Sequence, residues 1–595
     1  MVSGYVQGKY AHYHYGYDEG RFSIFAGTEK EKGIPLVSVR DSVREAERHI
    51  GTFRLKPGML AVVAGVSHLP LLELLYEQMK SPQGQGGWIL AFEADTALYM
   101  SLKKFRPDLF AEIAVIVPEN AGVMAELVEK IDVESFVGYR VFESAAAVGM
   151  NPTYYANVIT DFKKKLASRF SDLFTRLEFE ERWVFNALSK LPQCVHARPV
   201  SALFGLGKGK EALLVSTGPS LRHTLPFLQK NPERYFIACA DSAYRVLHRV
   251  GIVPHLIFSL DSQAHTTKHF TLLPKGLPNA FPLLVCDAVS NPVVARDWQG
   301  ELAISFTAQY ASASPLPLRG ERKVVDEFSS DTRVSELLDG RIVSPGCDFI
   351  EDEGYLEGVR GIIPGDLQSG GSVATSIFDL LRLMDFDKII LLGQDLAYTQ
   401  REIHTPGTHH TDEWLSKTTN RLQSLENINE RVLHRRHTKR EISITGKPIV
   451  TDYILSLYRD WFAHAVEQLP QRVYNATYDG LLLKGAIPYR DEFIQAMQEG
   501  PSTAAANDTL LEKYLAAPTL GVNQQKVQSL AVCVESALAS NAIDTGTLSF
   551  LRYVGRRFQI KAQRTPEMSA PLLKKQTTKQ RNFLRKLLTK LYPHA

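Results

Sequence analysis

The chain has 595 residues, 44% of them hydrophobic and 22% charged, with a formal net charge of +3. These values exclude wholesale disorder and, with no run of about 18 apolar residues, a membrane-spanning helix. Five cysteines (Cys194, Cys239, Cys286, Cys347, Cys533), odd in number and scattered, exclude a disulfide framework. Together with an N-terminus that lacks an apolar leader, they predict a cytoplasmic protein.

The length exceeds what one core covers, so several domains are expected. MLAVVAG at 59–65 reads as a buried strand, LPLLELLYEQM as a helix and WILAFEAD at 88–95 as a second strand. This order makes residues 1–150 a Rossmann-like domain, with Glu93 and Asp95 where a ribose hydroxyl would be caught. The turn Gly65-Val66-Ser67-His68 lacks the full GxGxxG, so a scaffold role outranks a cofactor site. Residues 151–200 form a helical connector, because TYYANVITDFKKKLASRFSDLFTRLEFEERWVFNAL carries apolar residues at three- and four-residue spacing. GLGKGK, just beyond it, lacks the ending and the preceding strand of a phosphate loop and reads as a linker.

Residues 201–412 are the most regular part. Strands are expected at 212–215, 235–240, 255–260, 282–286, 302–306 and 388–392, with helices such as SAYRVLHRV and SVATSIFDLLRLM between them. Continuous apolar strands alternating with helices imply a parallel sheet covered on both faces. Polar residues follow nearly every strand: Ser216, Thr217, Gly218, Pro219 and Ser220, then Asp241 and Ser242, Asp261, Asp287, and finally Gly393, Gln394 and Asp395. Ligands bind outside the carboxyl ends of such strands, so these groups converge on one crevice. Gly218 lets backbone approach a ligand, and hydroxyls with helix N-terminal amides hold phosphate oxygens. A second small-residue loop, Ser369, Gly370, Gly371 and Ser372, precedes a helix and offers another set of amides, so two such loops suit a nucleotide.

GQDLAYTQREIHTPGTHH at 393–410 places His404, His409 and His410 soon after a strand end, where an imidazole can act as general base. No cysteine or HExxH accompanies them, so no metal site is assigned. His434 and His437 in HRRHTKR read as a solvated basic segment. Mg²⁺ against a diphosphate is possible at the acidic strand ends but no DxD motif signals it, and Asp261 serves equally as a turn cap. Residues 413–595 are mainly helical and end in a basic tail with a dozen Lys and Arg from Arg552 onward. RNFLRKLLTKLY within it is an amphipathic basic helix expected to help engage a protein acceptor, the alternatives being an anionic membrane or its own core. No nucleic-acid motif accompanies the charge.

VSTGPSL, YFIACADSAYRVLHRVGIVPHLIFSLD, SGGSVATSIFDLLRLMDFDKIILLGQDLAYT with His404, YNATYDGLLLKGA and the N-terminal PLVSVRDSVREAERHI together resemble the motility accessory factor (Maf) flagellin glycosyltransferases, over most of the chain. The resemblance implies a central domain similar to bacterial CMP-sialic acid transferases, in which the turn at Gly218 to Leu221 meets the CMP of the donor. It implies inverting transfer of a nonulosonic acid (pseudaminic, legionaminic or sialic type) from its CMP-activated donor to Ser or Thr of flagellin, with no tightly bound cofactor. Donor contacts are then expected from Thr217, Gly218, Ser220 and the Gly370-Gly371-Ser372 loop. His404 is expected as base, with His409 behind it, Asp395 as orienter or alternative base, and Tyr398 as donor to the departing phosphate. The same turn occurs in an archaeal pterin diphosphokinase group, so an ATP- and Mg²⁺-dependent diphosphokinase is the alternative enzyme, and a non-enzymatic flagellin chaperone the alternative of another class.

Overall fold

The computed structural model describes residues 2–18, 21–28, 33–120, 122–271, 281–310, 341–343, 366–418, 423–469, 471–499, 508–520, 524–540, 548–564 and 568–591. Cys347 lies outside the described residues. The chain folds as two compact units, Met1–Leu177 with Arg557–Lys574 and Glu178–Arg556 with Lys575–Ala595.

The first unit opens with strands that were not expected from the sequence. Strands β1 (Val2–Gln7), β2 (His12–Asp18), β3 (Arg21–Gly27) and β4 (Ile34–Pro35) form an antiparallel meander. Its period-two signal is carried by Tyr13, Tyr15, Phe22, Ile24 and Ala26, all buried. The expected Rossmann-like part follows as a parallel sheet: β5 (Met59–Ala64), β6 (Trp88–Phe92), β7 (Ala114–Ile116) and β8 (Gly138–Glu143), in the order β7-β6-β5-β8. The predicted long helix is continuous over Pro152–Ser189, 38 residues.

The second unit is built on a sheet of eleven described strands. They are β9 (Arg198–Pro199), β10 (Glu211–Val215), β11 (Phe236–Ala240), β12 (Leu256–Ser259), β13 (Leu283–Asp287), β14 (Leu302–Tyr310), β15 (Arg341–Val343), β16 (Asp366–Ser369), β17 (Lys388–Leu392), β20 (Val473–Asn475) and β21 (Ile487–Pro488). The order is β15-β14-β13-β12-β11-β10-β17-β20-β21, with β9 and β16 also on β14, and every pair is parallel except β14 with β15. Between β17 and β20 a hairpin of β18 (Thr438–Ile442) and β19 (Pro448–Asp452) stands apart from this sheet. Strands β18 to β21 were not expected. They run two to five residues, too short to show a period.

The apolar strands are covered on both faces, as predicted. Leu213 and Val215 of β10 enter one core with Trp183, Val184, Leu530, Val534, Phe583 and Leu584. Ala212 and Leu214 enter the other with Ile377, Phe378 and Phe462. The tail helix Ser569–Leu591 buries Phe583, Leu584, Leu587 and Leu591, while Arg585, Lys586 and Lys590 stay exposed. Its apolar face is therefore spent on the core of its own unit, the third of the alternatives above, and only its basic face stays exposed.

Candidate functional site

The chain lays β10 to β14 outward in one direction and then places β17 on the opposite side of β10. That reversal is a topological switch point, where connections diverge and leave a crevice at the carboxyl ends of the strands. The turns after β10 and β17 meet there. Ser216 Oγ donates to Gln394 Oε1 at 2.6 Å. Ser220 donates its N–H to Asp395 Oδ2 at 2.9 Å and its hydroxyl to Oδ1 at 2.7 Å, and Thr399 Oγ1 donates to Oδ2 at 2.6 Å.

This geometry changes the roles expected of three residues. Ser220 spends both its donors on Asp395, so it does not face a phosphate. Asp395, with three donors, welds the turns together rather than standing free as a base; burial raises its pKa to about 6 despite those hydrogen bonds. Gly218 has an ordinary φ of −55°, and the space a Cβ would take is filled by Asp395 Oδ1 at 2.3 Å and Gly393 O at 2.4 Å. Its glycine is required by packing between turns, not by a ligand. Gly393 at φ +64° holds the facing bend. Pro219 starts a single 3-10 turn, Pro219–His223, followed by a four-residue helix, so no long helix dipole points at the crevice.

Thr217, outside the Asp395 cluster, instead meets the loop after β17 through His404. Its Oγ1 lies 3.3 Å from His404 Nδ1 and 3.4 Å from Ser242 Oγ, and its carbonyl accepts Thr405 N–H at 3.0 Å. His404 is half-buried, and burial, with the His410 ring and the Arg436 guanidinium close by, lowers its pKa to about 4. It is therefore neutral at pH 7 and able to accept a proton. Arg436 went unnoticed because it sits in a basic run. It is exposed, lies 5.6 Å over the Tyr398 ring, and donates to Tyr398 OH at 2.6 Å and to Asp452 Oδ2 at 3.1 Å. Tyr398 itself donates to Asp452, so its hydroxyl is committed to anchoring Arg436 and not directed at a leaving group.

His409 pairs with Glu413, Nε2 to Oε2 at 3.2 Å. His410 stacks on His404 with ring centroids 5.5 Å apart. Two further histidines that the sequence reading missed, His265 and His269 after β12, lie 5.9 and 5.6 Å from His410. Their H-x₃-H spacing in AHTTKH was the available signal. Among the described residues no group of three or more His, Cys, Asp or Glu side chains could hold a metal ion.

The other strand ends turn inward. Asp241 accepts from Ser242 N–H at 2.7 Å and Ser259 Oγ at 3.0 Å, and burial raises its pKa to about 7. Asp261 caps its turn through Gln263 N–H at 2.8 Å and pairs with His265 Nε2 at 3.2 Å. Asp287 accepts from Val289 N–H at 3.0 Å. In the second small-residue loop, beyond Ser369 at the end of β16, Gly370 and Ser372 donate their N–H groups to Thr375 Oγ1 at 2.9 and 3.3 Å. Those two amides are not open to an anion. A Cβ on Gly370 would meet the Trp461 ring at 2.5 Å, and Gly371 O accepts from Tyr458 OH at 3.0 Å. In the first unit Glu93 and Asp95 are likewise consumed: Glu93 by Val66 and Asp95 N–H groups and Tyr155 OH, Asp95 by capping the helix Thr96–Phe105.

YNATYDGLLLKGA, another segment singled out from sequence, begins within β20 and braces this site. Thr477 Oγ1 accepts Gln394 N–H at 3.1 Å, Leu481 N–H donates to Asp395 O at 2.9 Å, and a Cβ on Gly480 would meet Asp395 O at 2.5 Å.

Residues 185–338, roughly a quarter of the chain, match the family described as 6-hydroxymethylpterin diphosphokinase MptE-like. No curated protein matches the chain. Among solved structures, the chain is similar to the MAf glycosyltransferase from Magnetospirillum magneticum AMB-1, with 13% identity over 97% of this chain and 89% of that chain and a TM-score of 0.50. At that identity the likeness shows a shared fold, a mixed α/β architecture with a large parallel sheet and a helical C-terminal part.

Proposed function

We propose that the chain is a glycosyltransferase that moves a nonulosonic acid from its CMP-activated form to a Ser or Thr hydroxyl of flagellin. The observation that carries this reading is the neutral His404 set against Thr217 at the switch point, with the Arg436 cation alongside, in a fold shared over 97% of the chain with a Maf glycosyltransferase. Breaking the bond from the anomeric carbon to CMP leaves a phosphate whose charge must be met, and the acceptor must lose a proton. Arg436 and the hydroxyls of Thr217 and Ser242 meet the charge. His404 takes the acceptor proton as the new glycosidic bond forms, and CMP departs on the opposite face.

The electrostatics make the two tasks cooperative. Burial first, then the His410 ring and the Arg436 cation, hold down the proton affinity of His404, and an incoming phosphate offsets the cation's share, so donor binding strengthens the base. The matched MptE-like segment favours a second reading, a diphosphokinase using ATP and Mg²⁺. Calorimetry separates them. CMP binding without a requirement for Mg²⁺ supports the transferase, whereas Mg²⁺-dependent ATP binding with none for CMP overturns it. Loss of sugar mass from flagellin in cells lacking the protein then names the acceptor and the sugar.

A further inference from the structure

A second opening lies at the carboxyl ends of β12 and β13. It is a groove of about 460 Å³ lined by Ala264 and six polar side chains, Arg182, Asn186, Ser262, Gln263, His265 and Asn291. Its floor is prebuilt: the buried Asn186 donates through Nδ2 to Ser262 O at 3.0 Å and to Val289 O at 2.9 Å, and Asn291 N–H donates to Asp261 O at 3.0 Å. Arg182 is exposed at the rim with its guanidinium 5.4 Å over the Phe179 ring, and it has no carboxylate partner among the described ion pairs.

His265 ties this groove to the proposed base. Its ring lies 5.9 Å from His410, whose ring stacks on His404 at 5.5 Å, while His404 meets Thr217 through Nδ1. The base thus stands between the β10 turn and a row of imidazoles that ends in the groove. With the donor at the turn, the acceptor hydroxyl has to arrive from the other direction. Six of the seven lining side chains are polar, which favours a polar occupant over a lipid or an apolar helix. A guanidinium held on an aromatic face, with no carboxylate partner among the described residues, suits a carboxylate.

We infer that this groove is the acceptor subsite and takes an extended polar peptide in which the modified serine or threonine has an aspartate or glutamate close by. The inference rests on the transferase reading above. The full-length protein, saturated with CMP, is titrated with a fluorescein-labelled peptide of alternating serine, threonine and aspartate, and CMP affinity is measured separately. Arg182→Ala weakens peptide binding about three- to fivefold at low salt, the range of an exposed charge pair. Arg182→Lys restores part of it. Gln263→Ala, a neutral change in the same lining, weakens it at high salt as well. The peptide with asparagine in place of aspartate binds more weakly and is indifferent to Arg182→Ala, and CMP affinity is the same throughout. Unchanged peptide affinity in both alanine variants, with CMP still bound, overturns the groove and leaves the donor reading standing. Absence of CMP binding by the unaltered protein overturns that reading, and the acceptor inference with it.

Discussion

After β5 the backbone N–H of Val66 donates to Glu93 Oε2 at 2.9 Å, and after β10 that of Ser220 donates to Asp395 Oδ2, also at 2.9 Å. Each acid follows the strand next to the turn, and each accepts three donors in all. The surroundings differ. In the first unit Ser67 and His68 are buried, the next helix begins Leu69-Pro70-Leu71-Leu72, and the cavity beside Glu93 holds about 10 Å³, room for one water at most. In the second unit Thr217 remains beyond the welded acid, facing His404, with Arg436 and the histidine row alongside. A carboxylate clamp on a strand-end turn is therefore scaffold in both units, and chemistry depends on what other loops bring to the turn.

The largest expected effect tests that last step. His404→Ala lowers sugar transfer to flagellin by about 10²- to 10⁴-fold, the usual worth of a general base, and leaves CMP affinity unchanged. His68→Ala in the sealed turn alters neither. Intact-mass analysis of flagellin reads the first, calorimetry the second, and full glycosylation with the His404 variant would remove it as the base.

Next comes the packing between turns. Gly218→Ala drives a Cβ into Asp395 and Gly393, so a loss of about 3 kcal/mol of stability is expected, the upper part of the overpacking range, together with CMP binding. Gly65→Ala, whose Cβ would lie 2.6 Å from Ala147 Cβ at φ +94°, destabilises as well but spares CMP binding. Retained CMP affinity in Gly218→Ala would separate the turn from the donor site.

A smaller loss follows from the acids. Asp395→Asn turns one acceptor into a donor facing Ser220 and Thr399 and costs about 1–2 kcal/mol, with weakened CMP binding; Glu93→Gln costs a similar amount with none. Equal effects on CMP would mean that the first unit also holds ligand.

The smallest effect is in pH dependence, where the buried histidines and the buried acids, present in both units, act oppositely. Burial lowers His404 to about 4 and His269 to about 3 from 6.5, so their contribution to stability is complete above pH 6.5 and is lost as pH falls towards those values. Burial raises Glu93 to about 7 from 4.5, so its contribution is complete below pH 4.5 and is lost as pH rises through 7. His269→Gln should flatten the acid side of the melting profile by a few degrees, and Glu93→Gln the neutral side. Parallel profiles in both variants and the unaltered chain would show that these groups are not buried in solution.

Much of this molecule could be read directly. The strands at 59–64, 88–92, 212–215, 236–240, 256–259, 283–286 and 388–392 and the long helix all follow from apolar runs bounded by polar turns, a one-dimensional pattern that burial imposes. His404 stands out in the sequence because it comes soon after a strand end, and the structure sets its Nδ1 3.3 Å from Thr217 Oγ1. The aromatic meander was missed because its alternation is carried by tyrosines that read as polar, and β20 because three residues show no period.

Which polar groups face a ligand and which face each other was decided by the tertiary structure alone. Ser220, Asp395 and Thr217 look equivalent in the chain, yet 175 residues separate Ser220 from the carboxylate that consumes it. Arg436 and His265 reach the histidine row from different loops. A hydrogen bond between distant segments leaves no local trace in composition or periodicity, so a sequence by itself determines where polar groups emerge from the sheet, and only folding decides which of them remain unspent.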